Sequence, residues 1–301
     1  MLRRDIVTAA LAAPLMGAAA VSPGPAQAAP VRRQAEVRAK DGTLLFHRDW
    51  GEGPTLLFAA SWGASGEMWA YQVAHFSELG FRCIAYDRRG HGRSDIPAGG
   101  FDMDTLADDM GAVIDQLALR DVILVGHSQG GAEVIHYLAR HGSARVRKAA
   151  LLAPAAPYLL KTADNPYGAP RAYFDARMAE WARDFPKWVA DNKAPFFTPE
   201  TSPAMQDWMA GLLLATPVPV AIADFKALLE KDLRPDLAKI DRPTLILHGT
   251  KDASIPLEIS GRRLAAGIKG AELKVYEGAP HGLFVTHLDQ VNRDLETFIR
   301  A

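Results

Sequence analysis

One serine, one aspartate and one histidine stand in this chain in the order and local settings that nucleophilic acyl chemistry needs. Ser128 is the centre of Gly126-His127-Ser128-Gln129-Gly130, a G-x-S-x-G string. Residues 121–125 are a short apolar, β-branched run that reads as a buried parallel strand, and residues 132–141 have helical composition. Strand, tight turn and helix is the setting that holds such a serine with its Oγ exposed above a sheet edge. Glycine is needed on both sides, because a Cβ there would strike the neighbouring strand or helix. A serine hydroxyl is a poor nucleophile until a base takes its proton, and that base must be held in one tautomer. In this setting the acid and then the histidine follow the serine along the chain. Asp252 follows an expected strand end, and His281 lies in a loop after the last expected strand.

Other histidines fit less well. His127 is inside the turn and points away from Ser128, His91 lies in an Arg-Arg-Gly-His-Gly loop of structural character, and His248 falls within a strand. The plain alternative is an ordinary strand-to-helix turn, with solvated loop residues at 252 and 281. An oxyanion would be held by the backbone N–H of Gln129 and by one from the loop after Ala60, with Trp62 as the second donor. The Trp62 indole would also line the acyl pocket, a simple hydrophobic plug being the alternative. Trp69, Tyr158 and Phe284 are further candidate pocket residues, and a Gln129 side chain at the pocket floor would favour a substrate with a hydrogen-bonding group.

Positioning these groups takes a sheet. Two runs, residues 35–39 and 44–50, flank Asp41-Gly42 and predict a hairpin. Strands are expected over 55–60, 81–86, 121–125, 146–153, 244–248 and 273–276, with helices over 68–79, 105–117, 132–141, 257–268 and up to 299. Strands alternating with helices of this length predict a mostly parallel sheet with helices on both faces, and a ligand site at the C-terminal strand ends. Between 154 and 235 prolines recur, aromatics are dense and no strand pattern shows. That stretch reads as a helical cap inserted after the sixth strand, splitting the α/β core into 29–153 and 236–301.

The chain has 301 residues, net charge −1 and 23% charged residues, an ordinary globular balance with no basic face for nucleic acid. A single cysteine, Cys83, excludes an intrachain disulfide and any cysteine-built metal site, and its apolar surroundings predict a buried, inert thiol. Neither metal nor cofactor is expected. The N-terminus reads as an export signal: Arg3-Arg4, an uncharged alanine-rich run over 6–21, and Ala26-Gln27-Ala28 before a cleavage point. The paired arginines suggest twin-arginine export, with a general secretory signal as the alternative, and both predict a periplasmic or secreted protein. Interrupted by Pro14, the run is too short and weakly apolar to span a bilayer, so no stable membrane insertion of the mature chain is expected.

Four stretches carry a family resemblance: Asp87-Arg-Arg-Gly-His-Gly-Arg-Ser94, Gly126-His-Ser-Gln-Gly-Gly131, Arg140-His141-Gly142 with Arg145-Val146, and Ile268-Lys-Gly-Ala-Glu-Leu-Lys-Val-Tyr-Glu-Gly-Ala-Pro-His-Gly282. Together they resemble the cofactor-free bacterial haloperoxidase (chloroperoxidase)/arylesterase group of α/β hydrolases, over residues 35–299 and least through the cap. The resemblance implies the α/β-hydrolase fold and ester hydrolysis by a Ser128-Asp252-His281 triad. It also implies, as in many members, peracid formation from a carboxylic acid and peroxide, without metal or haem. This chain departs from the family at two points. Ala60-Ser61-Trp62-Gly63 stands where His-Gly-Trp/Phe-Pro is usual, and Gln129 where Met or Thr is common. Ser61-Trp62-Gly63 with Met68-Trp69 is similar instead to the Ser-Leu-Gly loop of 3-oxoadipate enol-lactonases. The expected partner is therefore a small ester or lactone. The rivals are a lactonase, a perhydrolase and a non-catalytic ligand-binding protein on the same scaffold. Ser128 excludes a dehalogenase, which needs a carboxylate at that position.

Overall fold

Five near-continuous apolar runs form the middle of one sheet in the computed structural model, which describes residues 35–301. They are β3 (Thr55–Ala59), β4 (Arg82–Tyr86), β5 (Val122–His127), β6 (Val146–Leu152) and β7 (Thr244–Gly249). Runs of this kind suit strands buried on both faces. β8 (Glu272–Tyr276) closes one edge, and the hairpin β1 (Glu36–Arg38) and β2 (Leu44–Trp50) closes the other. The order is β1-β2-β4-β3-β5-β6-β7-β8; the β1–β2 and β2–β4 pairs are antiparallel and the rest parallel. At the hairpin, Gly42 takes φ +94°, a conformation open to glycine.

Alternation along each strand divides the core in two. Leu57, Ile84, Leu124 and Leu151 face a layer that includes α2 (Met103–Gln116), α3 (Gln129–His141) and α7 (Gly261–Gly267). Leu56, Phe58, Val125 and Leu247 face α1 (Ala70–Glu78) and α9 (Leu288–Arg300). α2 forms because Leu106, Met110, Val113 and Ile114 recur at helical spacing and Asp102 caps it, accepting the Thr105 N–H at 2.9 Å. α9 buries Val291, Leu295 and Ile299, four residues apart. Cys83 is buried, and burial pushes its thiol up to about 12.

After β6 the chain leaves the sheet for three helices, α4 (Arg171–Asn192), α5 (Pro203–Leu214) and α6 (Val218–Glu230), before returning to β7; a short α8 (Leu283–Thr286) precedes α9. Prolines that punctuate this region start helices: Pro203 begins α5, and Pro219 lies in the first turn of α6. α4 breaks at Asp184, ahead of Pro186, and the Asp184 carboxylate accepts the Lys187 N–H at 3.0 Å to restart the helix. The single helix expected over 257–268 is instead a 3₁₀ turn, Leu257–Ile259, followed by α7. Ser260 interrupts it, because its hydroxyl donates to the Pro154 carbonyl at 2.6 Å. No single described helix is long and apolar enough to cross a membrane. The expected export signal lies outside the described residues.

Candidate active site

Ser128 occupies the turn between β5 and α3 with φ +53° and ψ −117°, a conformation that L-residues rarely adopt. A Cβ on Gly126 would run into the Gly130 carbonyl, and one on Gly130 into the Ala59 carbonyl, so neither position tolerates a side chain. Asp252 lies just past the end of β7, and His281 in the loop after β8. His281 Nδ1 is 2.7 Å from Asp252 Oδ2, and both residues are buried. The other carboxylate oxygen accepts the Ser254 and Ile255 N–H groups at 2.9 and 2.8 Å, which fixes the plane of the carboxylate. His248 Nε2 donates to the Ile255 carbonyl at 2.8 Å and approaches Asp252 Oδ2 at 3.3 Å. Burial acts to raise the Asp252 pKa. The charge of His281 and the surrounding hydrogen bonds outweigh it, holding the carboxyl below its usual range. With Nδ1–H donating to a carboxylate, Nε2 of His281 is left with its lone pair.

Ser128 and His281 line one cavity of about 290 Å³ under the cap. Ser128 and His281 make no hydrogen bond to each other; catalytic contacts of this kind commonly tighten only around substrate. The Gln129 and Trp62 amides donate to no protein acceptor among the described residues. Gln129 begins α3, so its N–H belongs to the unsatisfied first turn of the helix. The Trp62 indole lines the cavity, donates to the Ala221 carbonyl at 2.8 Å and stacks on Trp181 with ring centres 4.4 Å apart. Together these groups could deprotonate a hydroxyl and stabilise an oxyanion.

Four side-chain expectations need correction. The Gln129 side chain does not floor the cavity: it is fully buried, donating to Asp224 at 2.7 Å and to Glu133 at 3.2 Å. Trp69 and Phe284 are not cavity walls. They pack on each other and, through Trp69, on Phe58, with the ring pairs 5.5 and 5.2 Å apart, inside the layer between sheet and α1. Tyr158 also lies off the cavity, its ring 5.3 Å below the Arg234 guanidinium. Cap aromatics form the wall instead, among them Phe174, Trp181, Trp188, Phe196 and Phe225. Among the described residues no cluster of three or more His, Cys, Asp or Glu side chains is placed to hold a metal ion.

A buried charge cluster beside Ser128 has no counterpart in the sequence reading. Arg88 donates to Glu133 at 2.5 Å and to the Ala60 and Ser61 carbonyls at 2.8 and 3.1 Å, bracing the chain just ahead of Trp62. Asp224, from α6, ties Gln129 to the cap and lies 3.7 Å from Arg88. One guanidinium thus faces two buried carboxylates, and burial pushes both carboxyls up. A neutral amide at 224 can keep the Gln129 bond and donate to His91 Nε2, which lies 3.6 Å from Asp224 Oδ2. Asp224→Asn is therefore expected to cost under about 1 kcal/mol. Asp224→Ala removes the Gln129 acceptor and should cost about 1–3 kcal/mol. Urea unfolding of the two variants checks this, and equal losses would contradict it.

His127 packs against His281, with ring centres 4.7 Å apart, and its Nε2–H donates to the His281 carbonyl at 2.9 Å. Burial, and then the nearby His281 charge, bring its pKa from 6.5 down to about 3. Between those values the unfolded chain binds the extra proton, so this residue's stabilisation is present above 6.5 and is lost as pH falls towards 3. His127→Gln keeps a donor for the carbonyl and does not titrate. Between pH 6 and 4 the wild type should lose up to about 1.4 kcal/mol per pH unit more than the variant. Parallel urea-midpoint profiles would exclude this role.

Residues 54–288 match the alpha/beta hydrolase fold family. The chain is 38% identical over 280 residues to a non-heme haloperoxidase of Rhodococcus erythropolis, covering 88% of this chain and 99% of that one. It is 36% identical over 277 residues to a bifunctional esterase/perhydrolase of Acinetobacter calcoaceticus, with the same coverage of 88% and 99%. An esterase structure from Exiguobacterium antarcticum superposes with a TM-score of 0.86 at 33% identity, covering 89% of this chain and all of that one.

Proposed function

Because the chain belongs to the alpha/beta hydrolase fold family, we propose that it is an exported serine hydrolase that cleaves carboxylic esters through an acyl-enzyme. Ser128 Oγ attacks the ester carbonyl while His281 Nε2 takes its proton. Asp252 holds the imidazole by Nδ1 and stabilises the imidazolium. The amides of Trp62 and Gln129 receive the oxyanion. His281 then protonates the departing alkoxide, and a water activated by the same imidazole frees the acid. The observation that carries this reading is the buried 2.7 Å Asp252–His281 pair opening onto the same cavity as the strained Ser128.

A second outcome for the same acyl-enzyme is attack by hydrogen peroxide, giving a peracid; it is favoured by the similarity to an esterase/perhydrolase. Lactone opening is the third, favoured by Ser61-Trp62-Gly63 at the oxyanion loop. Comparing kcat/KM for 4-nitrophenyl acetate, a γ-lactone, and bromide oxidation in acetate with peroxide ranks them. The ester should lead, and a dominant lactone or peracid rate would overturn that order. Export rests on Arg3-Arg4, the alanine-rich run and Ala26-Gln27-Ala28. A mature N-terminus at residue 29 in the periplasm or medium is expected, and full-length cytoplasmic protein alone would contradict export.

A further inference from the structure

Among the described residues the cavity is lined by no acidic side chain but by two basic ones, Arg177 and Lys193. Lys193 is already paired, its Nζ 2.7 Å from Asp207. Arg177 is not: among the described residues it has no carboxylate partner. Its Nε donates to the Tyr173 hydroxyl at 2.9 Å, leaving the two terminal NH₂ groups available. The guanidinium also lies 4.9 Å from the centre of the Tyr173 ring and 5.8 Å from that of Trp188. Both of those rings line the cavity as well. A fork anchored at Nε and held by two rings is preorganised for a planar anion, which takes two parallel N–H···O bonds from one guanidinium.

Its place relative to the chemistry follows from the ring contacts. Trp188 packs edge-on to Trp181 at 5.2 Å, and Trp181 stacks on Trp62, whose amide is the candidate oxyanion donor. Trp188 also meets Trp62 directly, edge-on with ring centres 6.1 Å apart, so the anion site and the oxyanion site adjoin one tryptophan cluster, which supplies apolar surface beside both. An apolar spacer would lie along that cluster while a charged end reached the guanidinium.

Resting on the esterase reading, we propose that Arg177 binds a carboxylate at the far end of the substrate, so that the enzyme's substrates are half-esters or lactones of dicarboxylic acids rather than neutral esters. In such a substrate one acyl group meets Ser128, a spacer lies along the tryptophan cluster, and the second carboxylate pairs with the Arg177 fork.

The test uses the full chain and 4-nitrophenyl half-esters of glutaric, adipic and suberic acid, each beside its methylated, neutral counterpart. At the best spacer length, kcat/KM for the charged substrate should exceed that of the methyl ester at least tenfold, and the ratio should fall as salt rises. Arg177→Gln should bring the charged-to-neutral ratio to near one; Arg177→Lys should keep part of the preference. A charged-to-neutral ratio at or below one at every length overturns the proposal and leaves the esterase reading standing. So does a preference that survives Arg177→Gln. No turnover of any ester, charged or neutral, overturns both.

Discussion

Ser128→Ala is expected to lower kcat on 4-nitrophenyl acetate by about 10⁵–10⁶-fold, the scale on which removal of a triad serine acts. The size follows from what is left behind. The Trp62 and Gln129 amides still lack a protein acceptor among the described residues, so a bound ester would keep the proposed oxyanion contacts, but no nucleophile would remain to form the acyl-enzyme. The same variant should fold normally. The Ser128 side chain makes no hydrogen bond among the described residues, and alanine meets the same backbone strain at φ +53° as serine does. A melting temperature within about 2 °C of wild type, beside a collapsed kcat, separates lost chemistry from lost structure. Retained turnover would remove Ser128 from the mechanism.

Asp252→Asn should cost about 10⁴-fold in kcat, the loss seen when a triad aspartate becomes its amide. Here the local bonding dictates which way that amide turns. The Oδ1 position receives the Ser254 and Ile255 N–H groups, so only the amide oxygen can sit there. Its NH₂ must then occupy the Oδ2 position, facing His281 Nδ1. A donor at that point forces Nδ1 to accept, which places the imidazole proton on Nε2, where the lone pair is needed. The same NH₂ also meets the His248 Nε2–H, and burial of that mismatch should lower stability by about 1–3 kcal/mol. Stopped-flow kinetics and urea unfolding on one preparation read both effects. A kcat within tenfold of wild type would show that Asp252 does not set the tautomer.

Much of the frame was legible because buried parallel strands leave a plain trace. β3, β5 and β7 are apolar runs ended by glycine or loop residues, and each is followed by one of the groups singled out for chemistry. The order serine, acid, histidine needed nothing beyond chain position. Side-chain direction was where inference stopped. Trp69 and Phe284 have the composition of pocket residues, yet their elements turn them onto the sheet face under α1, which no aromatic count reveals. Gln129 follows the nucleophile, but the Asp224 acceptor that draws its side chain away lies 95 positions along the chain. The Arg88 cluster was equally hidden, since its charges come from a loop, α3 and the cap. Of the prolines that recur through the cap, Pro203 and Pro219 stand in the first turns of α5 and α6. Proline at a first turn and proline between elements look the same until the helix is seen.

The most direct measurement is the mass of the protein quenched in acid within milliseconds of mixing with 4-nitrophenyl acetate. One acetyl group per chain is expected, mapped to the peptide carrying Ser128 and missing from Ser128→Ala. Rapid ester turnover with the acetyl group on another residue, or with no adduct at all under burst conditions and none from a fluorophosphonate, would contradict nucleophilic catalysis at this serine.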